Sequence, residues 1–183
     1  MITENLFSDV LLIKGDIFED IRGSFSEIYN REAYNNNGIK NSFLQDNISF
    51  SKDPGTIRGL HFQNSPFSQG KLLRVIKGSI EDFFIDLRPS SSTYEKFSSI
   101  KLNYKSGSIY IPHGFAHGFC TLEKDTIVMY KVDQFYSKKH ESGIRWNDNF
   151  FRINWPLNNI EPIISEKDAN LPFWDDIKNK TDL

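Results

Sequence analysis

The sequence predicts a mainly β fold, either a sandwich or a barrel of short strands. Aromatic residues make up 14% of the 183 residues, with 16 Phe among them, and such side chains favour pleated, half-buried surfaces. Turn-forming groups recur at short intervals: Arg22-Gly23, Asn37-Gly38, Asp53-Pro54-Gly55, Lys77-Gly78 and Ser106-Gly107. Many short strands separated this regularly are typical of sandwiches and barrels.

Apolar runs between these turns predict individual strands. The clearest runs cover residues 44–50, 71–76, 80–87 and 126–132. Because only a short turn around Lys77-Gly78 separates the second run from the third, we expect these two strands to form a hairpin. Helical periodicity is scarce, and it predicts only one or two turns at 31–36 and a short helix opening at 165–170.

The rest of the chain adds no second domain. Residues 145–164 carry two Trp and two Pro and predict irregular chain packed over the sheet. The polar end of the chain, 178–183, is expected to fray. We find no internal repeat and no long linker, so residues 1–183 are predicted to form one domain.

Composition excludes several classes of protein. A formal net charge of −2 argues against nucleic-acid binding, which usually needs an excess of Lys and Arg on one face. The single cysteine, Cys120, can form no internal disulfide. The N-terminal residues lack the basic start and long apolar stretch of a signal peptide, and no apolar run approaches the ~20 residues of a membrane helix. We therefore expect a cytoplasmic protein that binds no membrane.

Histidines point to the chemistry. The chain has only four, and two of them, His113 and His117, lie within one short segment. A strand at 57–63 would place Leu60 and Phe62 on one face and His61 on the other. With Arg58 and Lys71 close by, His61 would face a pocket suited to an anion. Taken alone, each histidine is more often a packed or a surface side chain than a functional one.

Several motifs in a fixed order favour a functional role for these histidines. They are Arg-Gly-Leu-His at 58–61, Gln-Gly-Lys at 69–71, Pro-His-Gly-Phe-Ala-His-Gly-Phe at 112–119, Tyr-Lys at 130–131 and Ser-Glu-Lys-Asp at 165–168. In this order they resemble the dTDP-4-dehydrorhamnose 3,5-epimerase family. Further matches at 18–27, 45–47, 86–88, 144–148 and 153–156 extend the resemblance over nearly the whole chain.

This resemblance implies a fold, a substrate and a reaction. The fold would be a double-stranded β-helix, that is, a jelly-roll sandwich of the cupin type, with a few short helices. The protein would be a homodimer that needs no cofactor. It would bind a dTDP-linked 4-keto-6-deoxy sugar and invert carbons 3 and 5 beside the ketone, on the route to dTDP-L-rhamnose.

The resemblance also implies the catalytic residues. His61 matches the base, Asp168 the carboxylate that orients it, Lys71 the cation near the ketone oxygen and Tyr130 the acid on the opposite face. The chemistry requires such groups, because a proton beside a carbonyl is acidic only if the resulting enolate is stabilised. Imidazole titrates near neutral pH, which suits proton abstraction.

Substrate-binding residues are implied in the same way. Those expected from the same subunit are Gln45, Asp46, Asn47, Arg58, His117, Tyr136, Glu141 and Lys167. Those expected from the partner subunit, as contacts to the nucleotide, are Arg22, Phe25 and Glu27. The chain departs from the family pattern at Ser24, Ser26, His113 and Phe135, which puts the fit around the sugar and the nucleobase in question.

Three alternatives remain open at this point. A metal-dependent cupin enzyme is one, since 112–117 looks like a cupin motif. However, no second His or Glu follows His61 closely, and Arg58 and Lys71 would repel a cation, so we expect no metal. The second is a sugar-binding module without activity. The third is an epimerase that inverts one centre only or acts on another nucleotide sugar.

Overall fold

Strands dominate the structure, a computed structural model that describes residues 2–183 and, for Ile2, the backbone alone. The strands are β1 Ile2–Phe7, β2 Val10–Lys14, β3 Phe18–Asp20, β4 Gly23–Phe25, β5 Gln45–Ser51, β6 Ile57–Gln63, β7 Lys71–Lys77, β8 Ser79–Asp86, β9 Phe97–Asn103, β10 Ser108–Ile111, β11 Phe115–Thr121, β12 Thr126–Val132 and β13 Glu141–Gly143. The α-helices are α1 Arg31–Asn36, α2 Glu166–Ala169 and α3 Trp174–Ile177. Single 3₁₀ turns lie at Tyr104–Ser106 and Lys178–Lys180.

The strands form two antiparallel sheets and a small hairpin. One sheet has the order β1-β2-β10-β7-β12-β5 and the other the order β13-β6-β11-β8-β9, while β3 pairs only with β4. Neighbours within a sheet are mostly far apart in sequence, which is the arrangement of a jelly roll. The predicted double-stranded β-helix of the cupin type is therefore confirmed.

Apolar side chains from both sheets fill the space between them. Leu73, Val75 and Val128 from the six-stranded sheet meet Phe84 and Phe119 from the five-stranded sheet in one buried cluster. Because strand side chains alternate between faces, every second residue of these strands is available for this interior. Polar residues that break this apolar lining therefore stand out as candidates for function.

The hairpin predicted across Lys77-Gly78 is wrong. β7 pairs with β10 and β12, and β8 pairs with β11 and β9, so the chain crosses from one sheet to the other at this turn. Gly78 takes a positive φ of 79° at the corner. A turn signal marks a reversal of the chain but does not reveal whether the next strand stays in the same sheet.

The C-terminal segment covers the outer face of the five-stranded sheet. As predicted, 145–164 is mostly irregular, and Trp155 packs on Phe83 with 4.5 Å between the ring centroids. The predicted fraying of 178–183 is wrong. Leu183 packs against the same apolar cluster, and Asp182 accepts a hydrogen bond from the Ser65 backbone at 2.6 Å.

Both predicted short helices are present, and each begins at a side-chain cap. Asn30 accepts the Ala33 N–H before α1, and Ser165 accepts the Asp168 N–H before α2. Such caps satisfy backbone donors that the first turn of a helix leaves free. No helix within residues 2–183 is both long and apolar enough to cross a bilayer.

Candidate active site

A cavity of about 290 Å³ opens between the two sheets. Both sheets contribute to it, together with the loops at 64–70 and 133–140 and with α2. Its polar lining includes most of the residues that the sequence predicted: Arg58, His61, Lys71, His117, Tyr130, Tyr136, Glu141 and Asp168. Leu73 and Phe119 supply an apolar wall. Apolar walls with a few converging polar groups are typical of ligand sites.

His61 reaches this cavity because β6 alternates as predicted. Leu60 and Phe62 are buried in the cluster on the outer face, while the side chain of His61 is 33% exposed on the cavity side. Gly59 beside it has a φ of 126°, and a Cβ there would lie 2.6 Å from the Gly118 Cα of β11. Only glycine lets β6 and β11 approach this closely.

A carboxylate from α2 holds the His61 ring. Asp168 Oδ1 lies 2.8 Å from His61 Nε2, and Asp168 Oδ2 accepts the Gly59 N–H at 3.0 Å. Burial alone would raise the pKa of Asp168, but the hydrogen bonds from His61 and Gly59 and the nearby charge of Lys167 outweigh it and keep this pKa below its ordinary value. Since an ionised carboxylate only accepts, Nε2 carries a proton, and in the neutral form of the ring the lone pair is then on Nδ1.

Lys71 faces His61 from the other sheet. Its Nζ donates to the His61 backbone oxygen at 3.2 Å, and the residue is only 8% exposed. Burial lowers the pKa of Lys71 to about 8, although Asp82 and Glu141 favour its charged form. A desolvated ammonium of this kind strongly favours negative charge developing nearby.

Tyr130 also comes from the six-stranded sheet, on β12, which is bonded to the strand that carries Lys71. Burial raises the pKa of its phenol, and Arg58 offsets this only in part. The phenol therefore keeps its proton at neutral pH. The His61 imidazole on one sheet and the protonated Tyr130 phenol on the other line the same cavity from opposite sheets.

His117 has a partner that the sequence analysis missed. Its Nε2 lies 2.8 Å from Asp82 Oδ1, and the side chains of both residues are almost fully buried. Among residues 2–183 the second carboxylate oxygen of Asp82 has no hydrogen-bond partner. The missed signal is the position of Asp82 on β8. It lies on the same interior face as Ile80 and Phe84, where an apolar residue would be usual.

The rim of the cavity is held by a three-residue network. Tyr136 Oη donates to Glu141 Oε2 at 2.9 Å, and Lys167 forms an ion pair with the other oxygen of Glu141. Burial would raise the pKa of Glu141, but Lys167 and Tyr136 keep it low. Lys167 does not line the cavity itself, but its ion pair with Glu141 connects it to the cavity wall.

Three predicted contacts on β5 do not line the cavity. Gln45 and Asn47 are on the inward-facing side of the strand, where the Gln45 amide donates to Asn47 at 2.7 Å. Asp46 is on the outer side and pairs with Lys131 at 2.7 Å. From the same strand, Ser49 lines the cavity instead, which the sequence gave no reason to expect.

The residues predicted to reach a partner subunit lie away from this cavity. Arg22 is in the β3–β4 turn and bonds to Asp20, and Phe25 at the end of β4 is 70% exposed. Glu27 accepts a hydrogen bond from Asn30 at 3.3 Å. Within their own chain these side chains form no part of the site.

Cation-binding residues do not converge in the described part of the chain. Residues 2–183 contain no group of three or more His, Cys, Asp and Glu side chains placed to hold a metal ion. His61 and His117 are bonded to different carboxylates. His113, which departs from the family pattern, bonds to Asp133 at 2.7 Å and does not line the cavity.

Further polar residues line the cavity that the sequence analysis did not select. They are Gln63, Gln69 and Ser165. Gln63 is on the same face of β6 as His61, two residues further along the strand, so the alternation that selected His61 could also have selected Gln63.

Comparison with known proteins gives one consistent result. A family model described as dTDP-4-dehydrorhamnose 3,5-epimerase matches residues 4–176. A curated relative with this name, from Sinorhizobium fredii, is 43% identical over 166 residues, which covers 90% of this chain and 85% of the relative.

Solved structures agree with the family match. The Bacillus anthracis dTDP-4-dehydrorhamnose 3,5-epimerase, with TDP and PPi bound, is 46% identical with a TM-score of 0.89, covering 93% of this chain and 97% of that one. A Legionella pneumophila dTDP-6-deoxy-D-glucose-3,5-epimerase in complex with dTDP-4-keto-L-rhamnose is 34% identical with a TM-score of 0.88, covering 94% and 92%.

Proposed function

The chain belongs to the dTDP-4-dehydrorhamnose 3,5-epimerase family, and from this premise we propose that it converts dTDP-4-dehydro-6-deoxy-D-glucose to dTDP-4-dehydro-L-rhamnose. The enzyme is an isomerase of dTDP-L-rhamnose biosynthesis, which supplies cell-surface polysaccharides. One observation carries the proposal: the His61–Asp168 pair and the Tyr130 phenol line the same cavity from opposite sheets. Inversion of a carbon centre needs a base on one side and an acid on the other.

His61 is the base. Its Nδ1 lone pair takes the proton from the carbon beside the ketone, and the ring becomes an imidazolium. Asp168, bonded to Nε2 at 2.8 Å, stabilises this positive charge and fixes the tautomer. The same logic applies to the aspartate of a serine-protease triad.

Lys71 stabilises the enolate. When the proton leaves, the electron pair moves to the ketone oxygen, which becomes negatively charged. The Lys71 ammonium is buried, and its Nζ bonds to the neutral backbone oxygen of His61 at 3.2 Å. Its charge is therefore available to that oxygen, in surroundings where water screens little of the attraction.

Tyr130 completes the inversion. Its phenol gives a proton to the opposite face of the enolate carbon, and the tyrosinate and the imidazolium then return to their starting states through exchange with water. The same sequence at carbons 5 and 3 gives the doubly inverted product. A ketone at carbon 4 activates both positions, so one set of groups can serve both.

Other residues hold the substrate. Arg58 and His117 provide donors for the diphosphate and the sugar. Tyr136, Glu141 and Lys167 at the rim, with Gln45 and Asn47 on the inward-facing side of β5, extend the binding site towards the nucleotide. Asp46 is on the outer side of β5 and holds Lys131 instead. These roles are consistent with the positions of Tyr136 and Glu141 in the cavity wall.

The active assembly is a homodimer in which Arg22, Phe25 and Glu27 enter the partner's cavity to bind the nucleotide. Large apolar side chains near these residues are exposed: Phe18 at 62%, Ile21 at 105% and Phe25 at 70%. On the outer face of β5, Ile48 at 71% and Phe50 at 56% are also exposed. Surfaces of this kind mark protein–protein contacts.

Residues 1–183 act as a single domain in the cytoplasm. One apolar cluster between the sheets contains residues from β2 and from each strand between β7 and β12. This shared core supports a single folding unit. The buried free thiol of Cys120 suits a reducing compartment.

Solvent exchange tests the reaction directly. With the dTDP-4-keto-6-deoxyglucose substrate in deuterated water, we expect label at carbons 3 and 5, measured by mass spectrometry and NMR. His61→Ala should slow exchange at both carbons by roughly 10²–10⁴-fold, since it removes the base. Tyr130→Phe should retain part of the exchange but lose inversion.

Each other outcome of this experiment has a distinct meaning. Label at one carbon only would identify a single-centre epimerase, and no label with folded protein would leave a binding module. Wild-type turnover in His61→Ala would contradict the assigned base.

The pH profile tests Lys71. Because the charged form is lost as pH rises through its pKa of about 8, kcat/KM should fall on the alkaline side of that pH. Lys71→Arg keeps a cation to much higher pH, so its residual activity should show no such fall. An unchanged alkaline limb in Lys71→Arg would assign the titration to another group.

Mixing variants tests the shared site. His61→Ala and the double variant Arg22→Ala/Glu27→Ala should each have little activity alone. After unfolding and refolding together, activity should recover to about a quarter of wild type, since half of randomly paired dimers are mixed and each mixed dimer has one intact site. No recovery from a mixture shown to be dimeric would mean that the hairpin acts only within its own chain.

A further inference from the structure

Gln63 is a buried amide in the cavity wall with no role in the proton transfers. It ends β6, is 4% exposed and lies on the same face as His61, two residues away. A buried amide must satisfy its donors and acceptor, because unpaired polar groups are costly. The partners that it finds indicate its function.

The Gln63 side chain bonds to three backbone groups in two different loops. Its Nε2 donates to the Phe67 oxygen at 2.6 Å and to the Phe135 oxygen at 3.1 Å. Its Oε1 accepts the Ser137 N–H at 2.7 Å. Both donors and one acceptor site of the amide are therefore in use. Phe67 belongs to the loop between β6 and β7, and the other two to the loop between β12 and β13.

Two of these bonds lie on either side of Tyr136. Phe135 supplies the carbonyl before it and Ser137 the N–H after it, so Gln63 holds the backbone on both sides of this rim residue. Tyr136 is 54% exposed, and its hydroxyl donates a hydrogen bond to Glu141. The backbone bonds to Gln63 therefore restrict where the ring lies, together with the Glu141 contact of its hydroxyl.

We propose that Gln63 is a positioning residue that fixes Tyr136 at the cavity rim and thereby sets the affinity for the nucleotide sugar. This inference rests on the proposed function of the cavity. Although Gln63 lines the cavity, both of its amide donors are bonded to the loops. Its loss therefore acts through the loops: it weakens binding and leaves the chemical step at His61 and Tyr130 largely intact. A residue needed only for folding would not separate KM from kcat in this way.

Gln63→Met is the main variant, because methionine keeps the length of the side chain, removes all three bonds and adds no charge near Lys71. Gln134→Met is the matched control. Gln134 is in the same loop, but its amide oxygen bonds only to the neighbouring Phe135 N–H at 2.9 Å. Both variants lose a glutamine amide, but only Gln63→Met removes the Gln63 bonds on either side of Tyr136, and the bond from Gln69 Nε2 to the Gln134 backbone oxygen at 2.7 Å remains in both.

We expect Gln63→Met to raise KM at least tenfold and to change kcat by less than threefold, while Gln134→Met stays within twofold of wild type in both. Amide hydrogen exchange at 134–140 should accelerate only in Gln63→Met. An unchanged KM in folded Gln63→Met, or a fall in kcat as large as the rise in KM, would overturn the proposal.

Gln63→Glu serves if Gln63→Met does not fold. A carboxylate can still accept the Ser137 N–H but faces the Phe67 and Phe135 carbonyls without a donor. The same rise in KM is therefore expected, and a wild-type KM would overturn the proposal.

If the wild type shows no turnover, the proposed function fails separately. The dissociation constant of dTDP then tests the inference: weaker binding by Gln63→Met than by Gln134→Met supports it, and equal binding overturns it.

Discussion

The carboxylate of Asp168 bonds to two groups of β6, and the active site depends on both bonds. One oxygen holds the His61 ring and the other holds the Gly59 backbone. A short C-terminal helix is thereby fastened to a strand more than 100 positions earlier in the chain. Because the carboxylate stays ionised, it also decides which ring nitrogen of His61 carries the proton.

The two-sheet architecture turns this contact into a catalytic site. β6 brings His61 from the five-stranded sheet, while β7 and β12 bring Lys71 and Tyr130 from the six-stranded sheet. The core therefore keeps the proposed base and the proposed acid apart, on opposite walls of the cavity. Gln63 bonds to two loops at the rim of this cavity, away from the groups proposed to move protons.

Local patterns in the sequence correctly predicted those features that depend only on residues close together in the chain. The alternation of Leu60, His61 and Phe62 was confirmed, as was the helix opened by Ser165. The hairpin across Lys77-Gly78 was wrong because the choice of sheet depends on strands far away in sequence. Asp82 was missed for a similar reason, since its partner His117 is supplied by another strand. The catalytic roles came from the family resemblance, and they remain proposals.

The protonation state of the His61 ring tests the account most directly. In protein labelled with ¹⁵N at histidine, with His61 assigned by comparison with His61→Asn, NMR distinguishes a protonated ring nitrogen from an unprotonated one. The account predicts a neutral ring with its proton on Nε2 and a free Nδ1, and loss of that preference in Asp168→Asn. A proton on Nδ1 in the wild type would contradict it, because the ring would then have no lone pair available to take the proton from carbon.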